Sequence, residues 1–294
     1  MRATNDDRFE TDRLPNGWEL RLNAMDEIWV PTKWAATVFA AGGVEPSKLV
    51  VVAEPVDTRW FDPASVEPLP LNVHAAGSTV FLSVFKWEER KGWRVLLEAY
   101  FAEFTALDNV LLVILTNAYH SDANFEEQVE DFAQRLGRDR AVLPPVQIME
   151  KLSDAGLRSL YKSADCFVLP SRGEGWGRPH VEAMSMGLPI IATNWSGPTE
   201  FLTEQNGFPL AIDGLSAIAD GPFQGHLWAD PSVSHLRQLL RDVFEDPTAA
   251  AAKGTRARQD MIERFSPEVL SAMVAAHMRR IESKLGHAGT GGEL

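Results

Sequence analysis

Two carboxylates, a run of glycines and two lysines carry the chemistry open to this sequence. Residues 171–182 read Ser-Arg-Gly-Glu-Gly-Trp-Gly-Arg-Pro-His-Val-Glu, and Ala-Met-Ser-Met-Gly-Leu-Pro-Ile-Ile-Ala-Thr continues to residue 193. Glu174 and Glu182 are separated by seven residues. Ionised carboxylates are pure acceptors, so such a pair can hold several hydroxyls of a sugar or a ribose. The N–H groups of Gly175, Trp176 and Gly177 precede a predicted helix start, where backbone dipoles favour an anion such as a diphosphate. Lys86 and Lys91 lie in Lys-Trp-Glu-Glu-Arg-Lys-Gly, residues 86–92, and offer point charges for the same anion. The ligand these residues suit is a phosphate joined to polyols.

The elements that must position them follow from local pattern. Residues 166–170 and 189–193 are short apolar runs that predict buried strands. Pro179 suits the first position of a short helix between them. Gly187 suits the left-handed stop, and Pro189 keeps the helix from resuming. Glu174 then falls on a loop and Glu182 in the first helical turn. Both sit at a strand's carboxyl end, where open α/β sheets bind ligands. Further strands are predicted at 27–30, 49–52, 80–85, 110–115 and 146–149. Residues 86–92 are read as the loop after the strand at 80–85. Helices are predicted at 33–41 capped by Thr32, from 93 to 104, from 125 onward capped by Asn124 and ended by Gly137, and at 154–163 capped by Ser153. Residues 9–15 end in a turn, 18–24 read as helical turns, and 207–230 read as loop. Helices follow at 232–245, 247–265 and 267–284. The alternation through 80–205 predicts α/β architecture, one doubly wound parallel sheet, with a βαβ unit before it and helices after it.

Composition narrows the classes. The 294 residues are 45% hydrophobic and 23% charged, ordinary for a globular protein with a sizeable core. A formal net charge of −13 argues against non-specific nucleic-acid binding, which needs a basic face. The lone Cys166 permits no intramolecular disulfide, and its apolar strand makes it a buried hydrophobe rather than a nucleophile. No apolar run approaches the ~20 residues of a membrane span. The expected location is the cytoplasm, with peripheral attachment to the inner membrane face as the alternative.

The pair Glu174 and Glu182, followed by Ala-Met and Gly-Leu-Pro, resembles the Glu-x7-Glu signature of retaining, GT-B-type glycosyltransferases of family 4. The resemblance covers roughly residues 9–285. It implies transfer of a sugar from a nucleoside diphosphate to a hydroxyl acceptor with retention, and no metal or cofactor. By resemblance Glu182 binds the donor ribose and Glu174 the transferred sugar, while Lys86 and Lys91 match cations that contact the diphosphate. Lys86 stands where the family usually has Arg, which keeps the charge but loses bidentate geometry. Arg90 is adjacent and competes for that role. Gly197, Pro198 and Thr199, in Ser-Gly-Pro-Thr-Glu, resemble the Gly-Gly-x-x-Glu turn whose backbone approaches the donor. Residues 146–152 match the segment beside the nucleobase. Residues 26–63 fit the family's crossing between domains, with Glu54 in place of Asn. The expected units are 1–55, a remnant of the acceptor-side domain; 56–265, the donor-binding domain; 266–285, a helix packing back; and 286–294, a disordered tail. The chain is thus expected to begin near the end of the N-terminal domain, with Asp12 and Arg13 as residues that reach the cleft.

Blander readings stand beside these. Gly173, Gly175 and Gly177 follow G-x-G-x-G rather than the dinucleotide spacing, and no acid ends the next strand. Glu182 alone would serve as a helix N-terminal acid. His180 is a surface residue on the bland reading, and Trp87, Trp93 and Trp176 are packing residues. No cluster has metal-ligand spacing. Two rival functions remain: a non-catalytic nucleotide-sugar-binding module, and a GT-B-type epimerase.

Overall fold

The computed structural model describes residues 10–72, 77–118, 124–137 and 139–289. The start of the turn predicted at 9–15 and residues 290–294 of the tail lie outside the described residues.

A small unit comes first. Helix α1 (Trp18–Asn23) leads to strand β1 (Ile28–Val30), helix α2 (Lys33–Ala41) and strand β2 (Leu49–Val51). β1 and β2 pair in parallel, Ile28 opposite Leu49. The Thr32 hydroxyl accepts the Ala35 N–H at 3.0 Å and caps α2 as its sequence predicts. Leu14, Leu22, Ile28, Val30, Val38 and Phe39 bury together as a separate cluster.

The main sheet follows. Its strands are β3 (Thr79–Trp87), β4 (Val110–Ala118), β5 (Val146–Glu150), β6 (Cys166–Leu169), β7 (Ile190–Thr193) and β8 (Phe208–Leu210). Their spatial order is β5-β4-β3-β6-β7-β8, and every adjacent pair is parallel. Helices α3 (Trp93–Glu103), α4 (Phe125–Arg135), α5 (Asp154–Lys162) and α6 (Arg178–Ser185) connect the strands. β6 and β7 are buried at every position, which is why they read as unbroken apolar runs. One continuous core runs from Val56 to Phe265. The sheet is the predicted doubly wound one, and it reverses direction between β3 and β6. In open α/β sheets the ligand crevice lies at such a reversal, outside the carboxyl ends of the strands.

Four local readings are corrected. β3 runs on to Trp87, so Lys86 is a strand residue, exposed, rather than a loop residue. The cause is aromatic packing: Trp87 stacks on Trp93 at 4.7 Å and touches Phe125 at 5.1 Å, which keeps the chain extended. Asn124 does not cap α4 with its side chain, which bonds Glu127 instead. Pro179 is the second helical residue of α6, after Arg178, so Glu182 opens the second turn. Residues 207–230 are loop only at 218–226 and at the joints between strands. Besides β8 they form an antiparallel hairpin, β9 (Ile212–Ala217) with β10 (Leu227–Pro231), Ala229 opposite Leu215. Its runs are short and broken by Gly214, so the alternation is weak in sequence.

Three helices complete the chain: α7 (Val233–Glu245), α8 (Pro247–Phe265) and α9 (Pro267–Gly289). α7 lies on α3 and α8 on α6. α9 returns to the first unit, where Arg280 pairs with Glu27 at 2.6 Å and His277 meets the Trp29 ring at 5.9 Å.

Candidate active site

Two loops meet at the reversal point of the sheet. One follows β3 and holds Arg90 and Lys91; the other follows β6 and holds Glu174. They touch closely. The Arg172 N–H donates to the Arg90 carbonyl at 2.7 Å. Gly92, at φ 66°, brings its backbone so near Pro170 that a Cβ there would lie 2.0 Å from the Pro170 oxygen. The contact places Lys91 against Glu174, with Nζ 2.6 Å from Oε1 and 2.9 Å from Oε2. Arg90 donates to Glu174 Oε2 at 3.3 Å and to the Gly173 carbonyl at 2.8 Å. Its guanidinium also pairs with Glu88 at 2.7 Å and Glu10 at 2.9 Å. Glu174 is 5% exposed. Burial alone would raise its pKa, but the Lys91 ammonium and the Arg90 guanidinium outweigh burial and hold the carboxyl at about 2. A group so acidic stays ionised at neutral pH. It can accept hydrogen bonds and stabilise positive charge, but it has no proton to give.

A third segment, the turn after β7, closes on the same loop. The Glu174 N–H donates to Ser196 Oγ at 3.0 Å, and the Gly197 N–H donates to the Glu174 carbonyl at 2.8 Å. A Cβ on Gly197 would lie 2.7 Å from the Glu174 oxygen and 2.8 Å from the Trp176 oxygen. Only glycine fits there. Pro198 is buried, and Thr199 Oγ1 donates to the Ser196 carbonyl at 2.6 Å. Glu182 lies on α6, where its Oε2 accepts from Tyr161 at 3.1 Å and its Oε1 is 3.9 Å from Arg178. Burial raises its pKa, opposed by the Tyr161 hydroxyl and Arg178. The loop residues Gly175, Trp176 and Gly177 bridge the two acids, and Gly177 takes φ 111° to open α6.

Residues 77–221 match the family of glycosyl transferases group 1. The chain carries a group 1 glycosyltransferase domain. Human alpha-1,3/1,6-mannosyltransferase ALG2 is 23% identical over 282 residues, 92% of this chain and 62% of the human protein. The D-inositol 3-phosphate glycosyltransferase of Streptomyces avermitilis is 29% identical over 170 residues, 54% of this chain and 32% of that protein. The chain thus spans less than two thirds of the length of these relatives. Among solved structures, Anabaena HepE superposes with a TM-score of 0.72 at 18% identity, covering 90% of this chain and 66% of HepE. Sucrose-phosphate synthase of Thermosynechococcus elongatus gives 0.70 at 17%, covering 91% and 61%. The shared fold is the GT-B type.

Within the glycosyltransferase domain, Arg90 rather than Lys86 joins Lys91 on Glu174. Its sequence signal was only its place beside Lys91. Tyr161, on the inner face of α5, proves to be a partner of Glu182 through its hydroxyl. The Trp176 ring packs between Phe201 and Phe265, so the backbone is the part of this residue left to meet a ligand. His180 is no surface residue: it is fully buried, with neither ring nitrogen completing a hydrogen bond. Burial pushes it down to about 4, so it is neutral at pH 7. Asp12 is tied to β10, accepting the Leu227 N–H at 2.6 Å, and it pairs with exposed Arg13 at 2.7 Å. A cavity of about 620 Å³ lies between α4 and β5, at the edge of the sheet rather than at the reversal point. Among the described residues no His, Cys, Asp or Glu group is arranged to hold a metal. No described helix is long and apolar enough to cross a membrane.

Proposed function

We propose that this protein transfers a sugar from a nucleoside-diphosphate sugar to a hydroxyl acceptor with retention of configuration. The observation that carries the reading is the buried Lys91–Glu174 pair at the sheet's reversal point. In the proposed complex Glu174 grips hydroxyls of the transferred sugar and favours the positive charge that builds there as the glycosidic bond breaks. Lys91 shares its three donors between Glu174 and the diphosphate. Lys86 and the amides of Gly175, Trp176 and Gly177 take up further charge on the departing nucleotide. Glu182, steadied by Tyr161, accepts the ribose hydroxyls. Gly197, Pro198 and Thr199 bring backbone against the donor. The structures of Anabaena HepE with UDP and with UDP-glucose support a nucleotide-sugar donor for this fold. The charge of the leaving group is assigned to this chain's own cations and amides, so we propose that no divalent metal is needed.

The experiment is a panel of UDP- and GDP-sugars with simple glycoside acceptors. Release of the nucleoside diphosphate is followed, and the product anomer is assigned by NMR. Retained configuration is expected, with turnover unchanged by EDTA. Glu182→Ala and Lys91→Ala are expected to abolish the thermal stabilisation that a nucleoside diphosphate gives the wild type. Persistence of that stabilisation in both variants means the donor site lies elsewhere. Nucleotide binding with neither transfer nor hydrolysis would assign a binding module. Conversion of the donor without any acceptor would assign an epimerase.

A further inference from the structure

Glu174 stands between two glycines, Gly173 and Gly175, in a loop whose backbone has little stiffness of its own. Its carboxylate is aimed by Lys91 and Arg90, but its main chain needs a separate hold. Arg90 holds the Gly173 carbonyl at 2.8 Å, and one turn holds the N–H and carbonyl of Glu174 itself. Ser196 Oγ takes the Glu174 N–H at 3.0 Å, and the next residue, Gly197, gives its N–H to the Glu174 carbonyl at 2.8 Å. The peptide units on both sides of Glu174 are thereby pinned to the turn after β7.

Ser196 adopts φ 59°, ψ −140°, a conformation that glycine takes freely and that a side chain resists. Ser196 is completely buried. A serine held there against its own preference is a reason to ask what its hydroxyl does. Among the described residues, the one hydrogen bond of that hydroxyl runs to Glu174. The turn is braced to keep it in place: the Ser196 carbonyl accepts from Thr199 Oγ1 at 2.6 Å and from the Thr199 N–H at 3.2 Å. Glycine would relieve the strain but leave the Glu174 N–H buried without an acceptor.

We propose that Ser196 is a positioning residue, whose hydroxyl fixes the main chain of Glu174 and so aims the carboxylate at the donor sugar. The proposal rests on the donor role given to Glu174 above. A displacement on the order of 1 Å at a reacting group costs up to about 100-fold in rate. The hydroxyl therefore acts on turnover more than on nucleotide capture.

The test compares wild type, Ser196→Gly and Ser196→Ala. Amide hydrogen exchange is read on the peptide spanning residues 172–178, and donor turnover is measured with the UDP- or GDP-sugar that the wild type uses. Glycine removes both the hydroxyl and the strain; alanine removes the hydroxyl and keeps the strain. Both variants are expected to lose protection in that peptide and to drop at least about tenfold in kcat. The KM for donor should rise by less than kcat falls, because Lys91 and Glu182 make no contact with the Ser196 hydroxyl. Alanine should lower Tm more than glycine, because both lose the hydrogen bond and only glycine relieves the strain. Retained protection in Ser196→Gly overturns the proposal whatever the activity. So does lost protection with wild-type kcat, or a kcat loss in alanine alone, which would make backbone conformation the cause. A wild type that turns over none of the donors defeats the glycosyl-transfer reading and with it the positioning role, while the exchange data still decide whether the clamp on Glu174 exists.

Discussion

Glu174 keeps its charge where water scarcely reaches, and two neighbours make that possible. Their presence writes a pH dependence into the fold. The carboxyl is held at about 2 against an ordinary 4.5. A carboxyl depressed in the folded state contributes stability above its unfolded value, and that stability is lost as pH falls from 4.5 through about 2. The shift corresponds to at most about 3 kcal/mol. His180 acts in a higher window. Burial depresses it from 6.5 to about 4, so the unfolded chain takes up a proton before the folded one does. Stability from this source is complete above pH 6.5 and drains between 6.5 and about 4, again by roughly 3 kcal/mol at most. Urea denaturation at pH 7, 5.5, 4 and 3 separates the two. His180→Leu should flatten the fall between 6.5 and 4. Glu174→Gln should flatten only the lower limb, and it should also cost stability at pH 7 by stranding Lys91. A profile for His180→Leu that parallels wild type would mean the buried imidazole is not the titrating group.

Among the elements, the close meeting of the β3 and β6 loops decides whether Lys91 can reach Glu174. Gly92 and Gly137 make a controlled pair there, because both have φ 66°. A Cβ at Gly137 meets nothing within 4 Å, whereas one at Gly92 lies 2.0 Å from the Pro170 oxygen. Gly137→Ala should therefore cost only backbone strain, about 1 kcal/mol. Gly92→Ala adds the clash and should cost about 3 kcal/mol or more. It should also weaken nucleotide-dependent thermal stabilisation, which Gly137→Ala should leave intact. Equal losses would show that the loops have room to part. Much of this layer is legible from sequence, for physical reasons. β6 and β7 are buried at every position and almost wholly apolar because helices cover both faces, and the ends of α2 and α5 are written in Thr32 and Ser153. The site's carboxylates and glycines are likewise readable, since helix start, loop and strand end are all local. The rest depends on distant partners. Trp87 stays in β3 because of Trp93 and Phe125. β9 and β10 stabilise each other across a long turn. The claim of Arg90 on Glu174 exists only once two loops 80 residues apart in sequence are folded together, a separation of order 80 that no local pattern reports.

At the scale of the molecule, the turn that pins Glu174 also joins the two apolar clusters. Its last residue, Glu200, accepts the Lys33 N–H at 2.8 Å and so caps α2 of the first unit. Trp195, just before the turn, meets Trp34 edge-on at 5.0 Å. On the far side of that unit, α9 returns and gives Arg280 to Glu27 through contacts of 2.6 and 2.7 Å. The first unit is thus held between the turn after β7 and the last helix. Glu27 is 5% exposed, so removing its cation strands a buried charge. Arg280 is itself 38% exposed, and solvent screening trims the cost of losing it. Arg280→Ala should cost about 2 kcal/mol. The loss should be local: protease cleavage within residues 17–51 should rise, while cleavage within the main sheet should not. Nucleoside-diphosphate binding should persist, because Lys91, Glu174 and Glu182 all lie on loops and a helix of the main sheet. Arg280→Lys should recover part of the loss, since it restores charge without the planar fork. If Arg280→Ala abolishes nucleotide binding as well, the clusters do not fold independently, and the donor site depends on α9 through the Glu200–Lys33 contact.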